Sequence, residues 1–139
     1  MDDLLVEVRR WLLKADRDRQ AVACLLEREP PLADLACYHA QQCAEKALKA
    51  VTAYHRQPLR RTHELEPLRL QAMAAAPRLD VPLEDVLALT DYAAETRYPD
   101  VWREIPLAEA AIAQAAAERV WAAVLDHLPP ATHPSRSAI

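Results

Sequence analysis

One segment, from Leu32 to Tyr54, carries most of the information on the fold and reads LADLACYHAQQCAEKALKAVTAY. Its apolar residues recur at intervals of three and four, which is the period of one face of an α-helix. They are Leu35, Tyr38, Cys43, Ala47, Leu48, Val51 and Tyr54. The segment contains neither glycine nor proline. It is therefore predicted to form one long helix with an apolar face.

A second, polar line follows the same predicted helix and contains His39, Gln42, Glu45, Lys46 and Lys49. Residues three and four apart project from neighbouring turns of a helix, so these side chains share one face. Two ammonium groups, an amide and an imidazole on one face suit a phosphate or a nucleotide. We therefore take His39, Gln42, Lys46 and Lys49 as candidate ligand-binding residues. The alternative is a solvated face on which Glu45 pairs with Lys49 four residues later.

The whole chain has 139 residues and no glycine, which excludes glycine-rich phosphate loops and dinucleotide fingerprints. Prolines divide it into five segments with helical patterns, at about residues 3–29, 32–54, 62–76, 81–98 and 106–128. The sequence predicts an all-α protein, an antiparallel up-and-down bundle of four to five helices. The expected domain covers residues 1–128, and the tail 129–139 is expected to be disordered.

The charge and the cysteines bear on partners and on the compartment. The formal net charge is −4, which is against a chain-wide nucleic-acid binder, and we expect no DNA partner. Three cysteines without a CxxC pair fit a reducing compartment. The longest stretch without Asp, Glu, Lys or Arg is far too short to span a membrane. We expect a cytoplasmic protein that needs no membrane, metal or cofactor.

Three short motifs resemble those of one family. The stretch Cys37–Ala50 resembles the second helix of HEPN domains, small helical bundles found in prokaryotes and higher eukaryotes. Thr62–Leu65 is similar to the family's His-Asp-Leu start of the third helix, with Glu64 in place of the usual Asp. Ala93–Asp100 resembles the Arg-Tyr-Pro turn before the last long helix. The order and spacing of these three motifs extend the resemblance over roughly residues 3–128.

The resemblance implies a nucleotide-binding, usually dimeric module of the stand-alone prokaryotic type. Many relatives are encoded beside a minimal nucleotidyltransferase, often as toxin–antitoxin pairs. A homodimer is also expected because Trp102, beside the proline turn, is hard to bury within one subunit and would anchor an interface. We therefore expect a module that binds nucleotide or RNA and pairs with such a nucleotidyltransferase.

Ribonuclease members of the wider superfamily carry an arginine followed four to six residues later by a histidine. After Arg97 the corresponding residues contain no histidine, so catalysis is not expected. Arg56 and His63 have six residues between them, but they lie before the third helix, whereas the family's motif lies near the last one. The alternatives are a metal-independent ribonuclease toxin acting through Arg97, or a purely structural dimerisation bundle.

Two further groups of residues are candidates for phosphate binding. Arg97, Tyr98 and Asp100 surround a proline-fixed turn, where a guanidinium either binds phosphate or ties down the turn itself. Arg56, Arg60 and Arg61 form the densest basic patch in the chain. That patch either contacts RNA phosphates or is a solvated loop.

Overall fold

The computed structural model describes residues 1–95 and 103–134, and the regular elements within these ranges are all helical. The six α-helices are α1 (Asp3–Glu27), α2 (Ala33–Tyr54), α3 (Leu65–Ala75), α4 (Leu83–Leu87), α5 (Tyr92–Glu95) and α6 (Leu107–His127). A 3-10 turn, Pro130–Thr132, follows α6. The predicted all-α helical bundle is confirmed.

The second helix lies at the centre of the bundle, because α1, α3, α5 and α6 all pack against it. Fifteen of its 22 residues are buried, so little of its circumference reaches solvent. Leu48 and Val51 are fully buried. Six buried alanines on α2 let the neighbouring helices approach closely: Ala36, Ala40, Ala44, Ala47, Ala50 and Ala53. The fold is therefore organised around α2.

Contacts near both ends of α2 give the direction of α6. Near its start, the Tyr92 hydroxyl lies against Cys37 and donates to Glu109 in the first turn of α6, at 2.6 Å. Just past its end, His55 contacts His127, the last residue of α6. The two helices therefore run in the same direction, as the second and fourth helices of a four-helix up-and-down bundle do.

The end of α2 shows how a chain without glycine closes a helix. The Arg56 N–H donates to the Ala53 carbonyl at 3.0 Å, and the Gln57 N–H donates to the Thr52 carbonyl at 3.1 Å. This pair of bonds is the Schellman motif, which places one residue in the left-handed region. Arg56 occupies that position with φ 57°, where glycine is the usual residue. Satisfying the last carbonyls of α2 thus requires a strained backbone at Arg56.

Two helix predictions need correction. The third helix begins at Leu65 rather than near Thr62, whose hydroxyl accepts from the Glu64 N–H at 3.1 Å in the preceding turn. The fourth predicted helix is two short ones, α4 and α5, separated by residues 88–91. There the backbone forms 3-10-type hydrogen bonds between residues three apart: the Leu89 N–H donates to the Val86 carbonyl, and the Tyr92 N–H donates to the Leu89 carbonyl. Short segments of this kind follow tertiary packing more than their own periodicity.

Residues 129–134 belong to the tail for which the sequence predicts disorder, and in the structure they contact the bundle. Thr132 is fully buried, and its hydroxyl donates to the Pro129 carbonyl at 2.7 Å. Arg9 of α1 donates to the His133 carbonyl at 2.7 Å. The 3-10 turn therefore packs on α1. Side-chain contacts hold in place a segment whose composition predicts disorder. Residues 135–139 lie outside the described part of the chain.

Two histidines join the C-terminal ends of α2 and α6. The Nε2 atoms of His55 and His127 are 2.8 Å apart, so one ring donates and the other accepts. The Tyr54 ring packs edge-on against both imidazoles. Burial lowers the pKa of His127, the neighbouring His55 lowers it further, and Asp126 acts in the opposite direction. The contact therefore favours a neutral His127.

This contact makes stability depend on pH. The pKa of His127 is lowered from 6.5 in the folded chain. Neutral His127 therefore stabilises the folded protein above pH 6.5, and this stabilisation is lost as the pH falls through the folded pKa. We expect the difference in unfolding free energy between the wild type and His127→Gln to shrink as the pH falls from 6.5 through the folded pKa. Urea unfolding at several pH values measures it, with His133→Gln as the control. Parallel pH profiles for wild type and His127→Gln would contradict the assignment.

Candidate functional site

The first cluster of the site joins α1 to α2 through one carboxylate. Asp18 lies in the apolar stripe of α1, and its side chain is only 9% exposed. It accepts from Lys46 Nζ at 2.7 Å and from His39 Nδ1 at 2.8 Å. Because a carboxylate only accepts, His39 carries its proton on Nδ1. We call Asp18, His39 and Lys46 the Asp18 cluster.

The second cluster joins α2 to the loop before α3. Glu45, with a side chain 4% exposed, accepts from Lys49 Nζ at 3.1 Å through one oxygen. Its other oxygen accepts from His63 Nδ1 at 2.9 Å and, more weakly, from Gln42 Nε2 at 3.5 Å. We call Gln42, Glu45, Lys49 and His63 the Glu45 cluster.

The two clusters divide the polar line that the sequence predicted on α2. Gln42 and Lys49 are buried and engaged inside the Glu45 cluster. His39 and Lys46 are also ion-paired, but 33% and 24% of their side chains reach solvent. These two are thus the members of the line that a ligand can reach from outside. The predicted Glu45–Lys49 pair is confirmed, but it is buried rather than on a solvated face.

Exposed basic side chains lie beside Trp11 on α1 and beside His63 on the loop. On α1, Trp11 is half-buried, and Lys49 Nζ lies 5.7 Å from its ring centroid, a cation–π distance. A cavity of about 410 Å³ is lined by Trp11 with Arg10, Lys14, Arg17, Glu7 and Leu13. On the loop, Arg60 and Arg61 are exposed beside His63. Trp11 and His63 therefore approach the Glu45–Lys49 pair from two different elements, each with basic neighbours.

The predicted residues Arg97, Tyr98 and Asp100 lie outside the described residues, as does Trp102. The described residues on either side of this segment are both tied to α6. Tyr92 donates to Glu109 at 2.6 Å, and Arg103 donates to the same carboxylate at 2.6 and 3.0 Å. Hydrogen bonds from Arg103 and Tyr92 lower the pKa of Glu109. Glu109 thus connects the two flanks of the segment.

Two members of the site were missed in the sequence. Asp18 is visible only as a break in the apolar stripe of α1, and such a break is an ordinary feature of surface helices. His63 stands in a motif but lies 18 residues from Glu45, a separation at which local spacing gives no information. Pairing across elements is what makes both residues part of the site.

Comparison with known proteins gives the family. The family model described as HEPN domain matches residues 8–127. Because the match covers most of the chain, the protein belongs to the HEPN family. A solved structure with the same fold is TT1696 from Thermus thermophilus, which is 31% identical and has a TM-score of 0.69. The alignment covers 87% of this chain and 98% of TT1696. No curated protein matches the chain at a significant level.

The structure also addresses membrane association. Over residues 1–95 and 103–134, no helix combines the length and apolar character needed to cross a bilayer.

The Asp18 cluster predicts strong coupling between Asp18 and Lys46. Removing either partner leaves a charge in a poorly solvated place, so Asp18→Asn and Lys46→Met should each cost roughly 1–3 kcal/mol. The double variant should be more stable than the sum of the singles predicts, by at least about 1 kcal/mol. Urea unfolding of the four proteins measures this coupling. Lys14 is exposed, so Lys14→Met serves as the control and should change the free energy of unfolding by no more than about 0.5 kcal/mol. Additive single effects would contradict the coupling.

Proposed function

We propose that this chain is a HEPN module that binds the phosphates of a nucleotide or a short RNA along the surface between α1 and the 55–64 loop. The observation that carries the proposal is the concentration of exposed cations there, in a chain whose net charge is −4. Arg10, Lys14 and Arg17 flank Trp11 on α1, and Arg60 and Arg61 stand on the loop. Basic side chains position a phosphate backbone, and a nearby aromatic ring gives a base a surface to stack on.

The interior of the site supports a binding role. Ion pairs inside the two clusters hold Lys46, Lys49, His39 and His63 in place. A ligand that approaches this surface therefore meets groups whose positions are already fixed, which lowers the entropic cost of binding. The exposed parts of His39 and Lys46 extend the same surface along α2.

Family membership supports the rest of the proposal. We propose that the chain acts as a homodimer, together with a minimal nucleotidyltransferase, in a toxin–antitoxin-type system of the prokaryotic cytoplasm. The free cysteines Cys24, Cys37 and Cys43 are compatible with a reducing compartment. Burial raises the pKa of the Cys37 thiol to about 11, so this thiol is unreactive at neutral pH.

Light scattering tests the dimer. The expected mass is twice the 15.6 kDa of one chain, and addition of the nucleotidyltransferase should produce a heavier complex. Trp102→Glu should shift the mass toward one chain, because a charge would replace the expected interface anchor. A wild-type mass of 15.6 kDa would contradict the dimer.

RNA binding tests the central part of the proposal. Fluorescence anisotropy with a labelled single-stranded RNA should show binding that weakens as salt rises. Arg10→Gln combined with Lys14→Gln should weaken binding about tenfold or more. The slope of log K against log salt concentration should become smaller by about 1.4, which corresponds to the loss of two phosphate contacts on a single strand.

The matched control removes two positive charges elsewhere, through Arg28→Gln combined with Arg78→Gln. Arg28 follows the end of α1, Arg78 lies after α3, and both side chains are exposed. This variant should bind RNA nearly as well as the wild type. Equal losses in both double variants would show that only net charge matters and would contradict a site on α1.

A further inference from the structure

His63 is fixed to the central helix at two points. Its Nδ1 lies 2.9 Å from Glu45 Oε1, and its backbone carbonyl accepts from Gln41 Nε2 at 2.8 Å. Both partners are buried, yet 62% of the His63 side chain is exposed. The ring is therefore held in one orientation at the surface.

The orientation determines which nitrogen a ligand can reach. The Glu45 carboxylate accepts from Lys49 at 3.1 Å, and as an acceptor it also requires a proton on His63 Nδ1. The other nitrogen, Nε2, lies on the ring edge away from Glu45. In the neutral ring Nε2 accepts hydrogen bonds, and in the protonated ring it donates one. A carboxylate that fixes the tautomer in this way also sets what Nε2 can bind.

The loop before His63 supplies further donors. Arg60 and Arg61 are exposed, and their segment is held on both sides. On one side Gln71 of α3 donates to the Pro58 carbonyl at 2.7 Å, and Leu59 packs against the core. On the other side stands His63 with its two bonds to α2. The two guanidiniums therefore extend from an anchored segment, which favours a defined site over a loose patch.

The charges that face His63 come from two elements. Glu45 and Lys49 of α2 offset one another behind the ring. On its own segment, residues 60–64, Arg60 and Arg61 are basic and Glu64 is acidic. The formal charge of these five residues is +1 when His63 is neutral and +2 when it is protonated. Protonation thus doubles the positive charge of residues 60–64 and turns Nε2 from an acceptor into a donor.

We propose that Arg60, Arg61 and His63 form a phosphate-binding site that protonation of His63 switches to higher affinity, with Glu45 as the positioning residue. The ligand is a phosphate group of RNA or of a free nucleotide. The site rests on the proposed function and adds a second anchor to the surface on α1. It differs from the Arg97 turn, and it requires no cleavage of the ligand.

The test measures binding of a labelled single-stranded RNA by anisotropy at about pH 5.5 and pH 8, on either side of the histidine range. The wild type should bind about tenfold more tightly at the lower pH, the gain expected from one charge-assisted hydrogen bond. His63→Gln should bind weakly at both pH values. Arg60→Gln combined with Arg61→Gln should weaken binding at both while keeping the pH dependence.

His133→Gln, at the other end of the chain, serves as the matched control and should keep the full pH dependence. Competition with AMP distinguishes the two sources of phosphate. AMP that displaces RNA only when His63 is present supports the site with a free nucleotide as a ligand, and RNA that resists AMP supports a polymeric ligand.

The outcomes separate this inference from the proposed function. RNA binding by His63→Gln with the wild-type pH dependence would overturn the inference and leave the surface on α1 standing. Absence of RNA and AMP binding at both pH values would overturn both. Circular dichroism of His63→Gln confirms that any loss is not due to unfolding, because the substitution affects a mostly exposed side chain.

Discussion

The carboxylates of Asp18 and Glu45 are almost completely removed from water, and each must be met by cations at hydrogen-bond distance. Burying an unpaired carboxylate would cost several kcal/mol, a large part of the stability of a domain this size. Lys46 and Lys49 of the central helix supply the compensation, and a histidine completes each cluster. The position of α1 and of the loop before α3 depends on these pairs.

The pairs also have a geometric effect that apolar contacts alone would not supply. The packing of α1 on α2 uses small and branched apolar side chains, whose contacts have no hydrogen-bond direction. Asp18 fits between His39 and Lys46 in one register only, since both bonds are shorter than 3 Å. Glu45 fixes the loop in the same way. The surface that carries the exposed arginines is therefore aligned with α2.

The sequence was sufficient for the long elements and insufficient for the pairs between them. The period of α2 and the proline that precedes α6 placed both helices to within about one or two residues, because burial of a long stripe dominates their energetics. The short helices α4 and α5 were merged, since five or four residues carry too little periodic signal. The Glu45–Lys49 pair followed from helical spacing alone.

The larger error concerned burial. A line of glutamine, glutamate, lysine and histidine resembles a solvated face, and only the partners supplied by α1 and by the loop reveal that most of it is internal. Lys46 finds Asp18 at a separation of 28 residues, and His63 finds Glu45 at 18. Contacts at such separations depend on the tertiary fold. The family motif at Cys37–Ala50 nevertheless contains this polar line, so it points to the helix on which both clusters are built.

Buried carboxylates hold the histidines at the edge of α2, and the tautomers of those histidines are the property to measure. Nitrogen-15 NMR of the imidazole rings at about pH 8 distinguishes a proton on Nδ1 from one on Nε2. We expect the neutral rings of His39 and His63 both to carry the proton on Nδ1. Protons on Nε2 in both rings would show that Asp18 and Glu45 do not accept from them, and the carboxylates would then not hold the histidines.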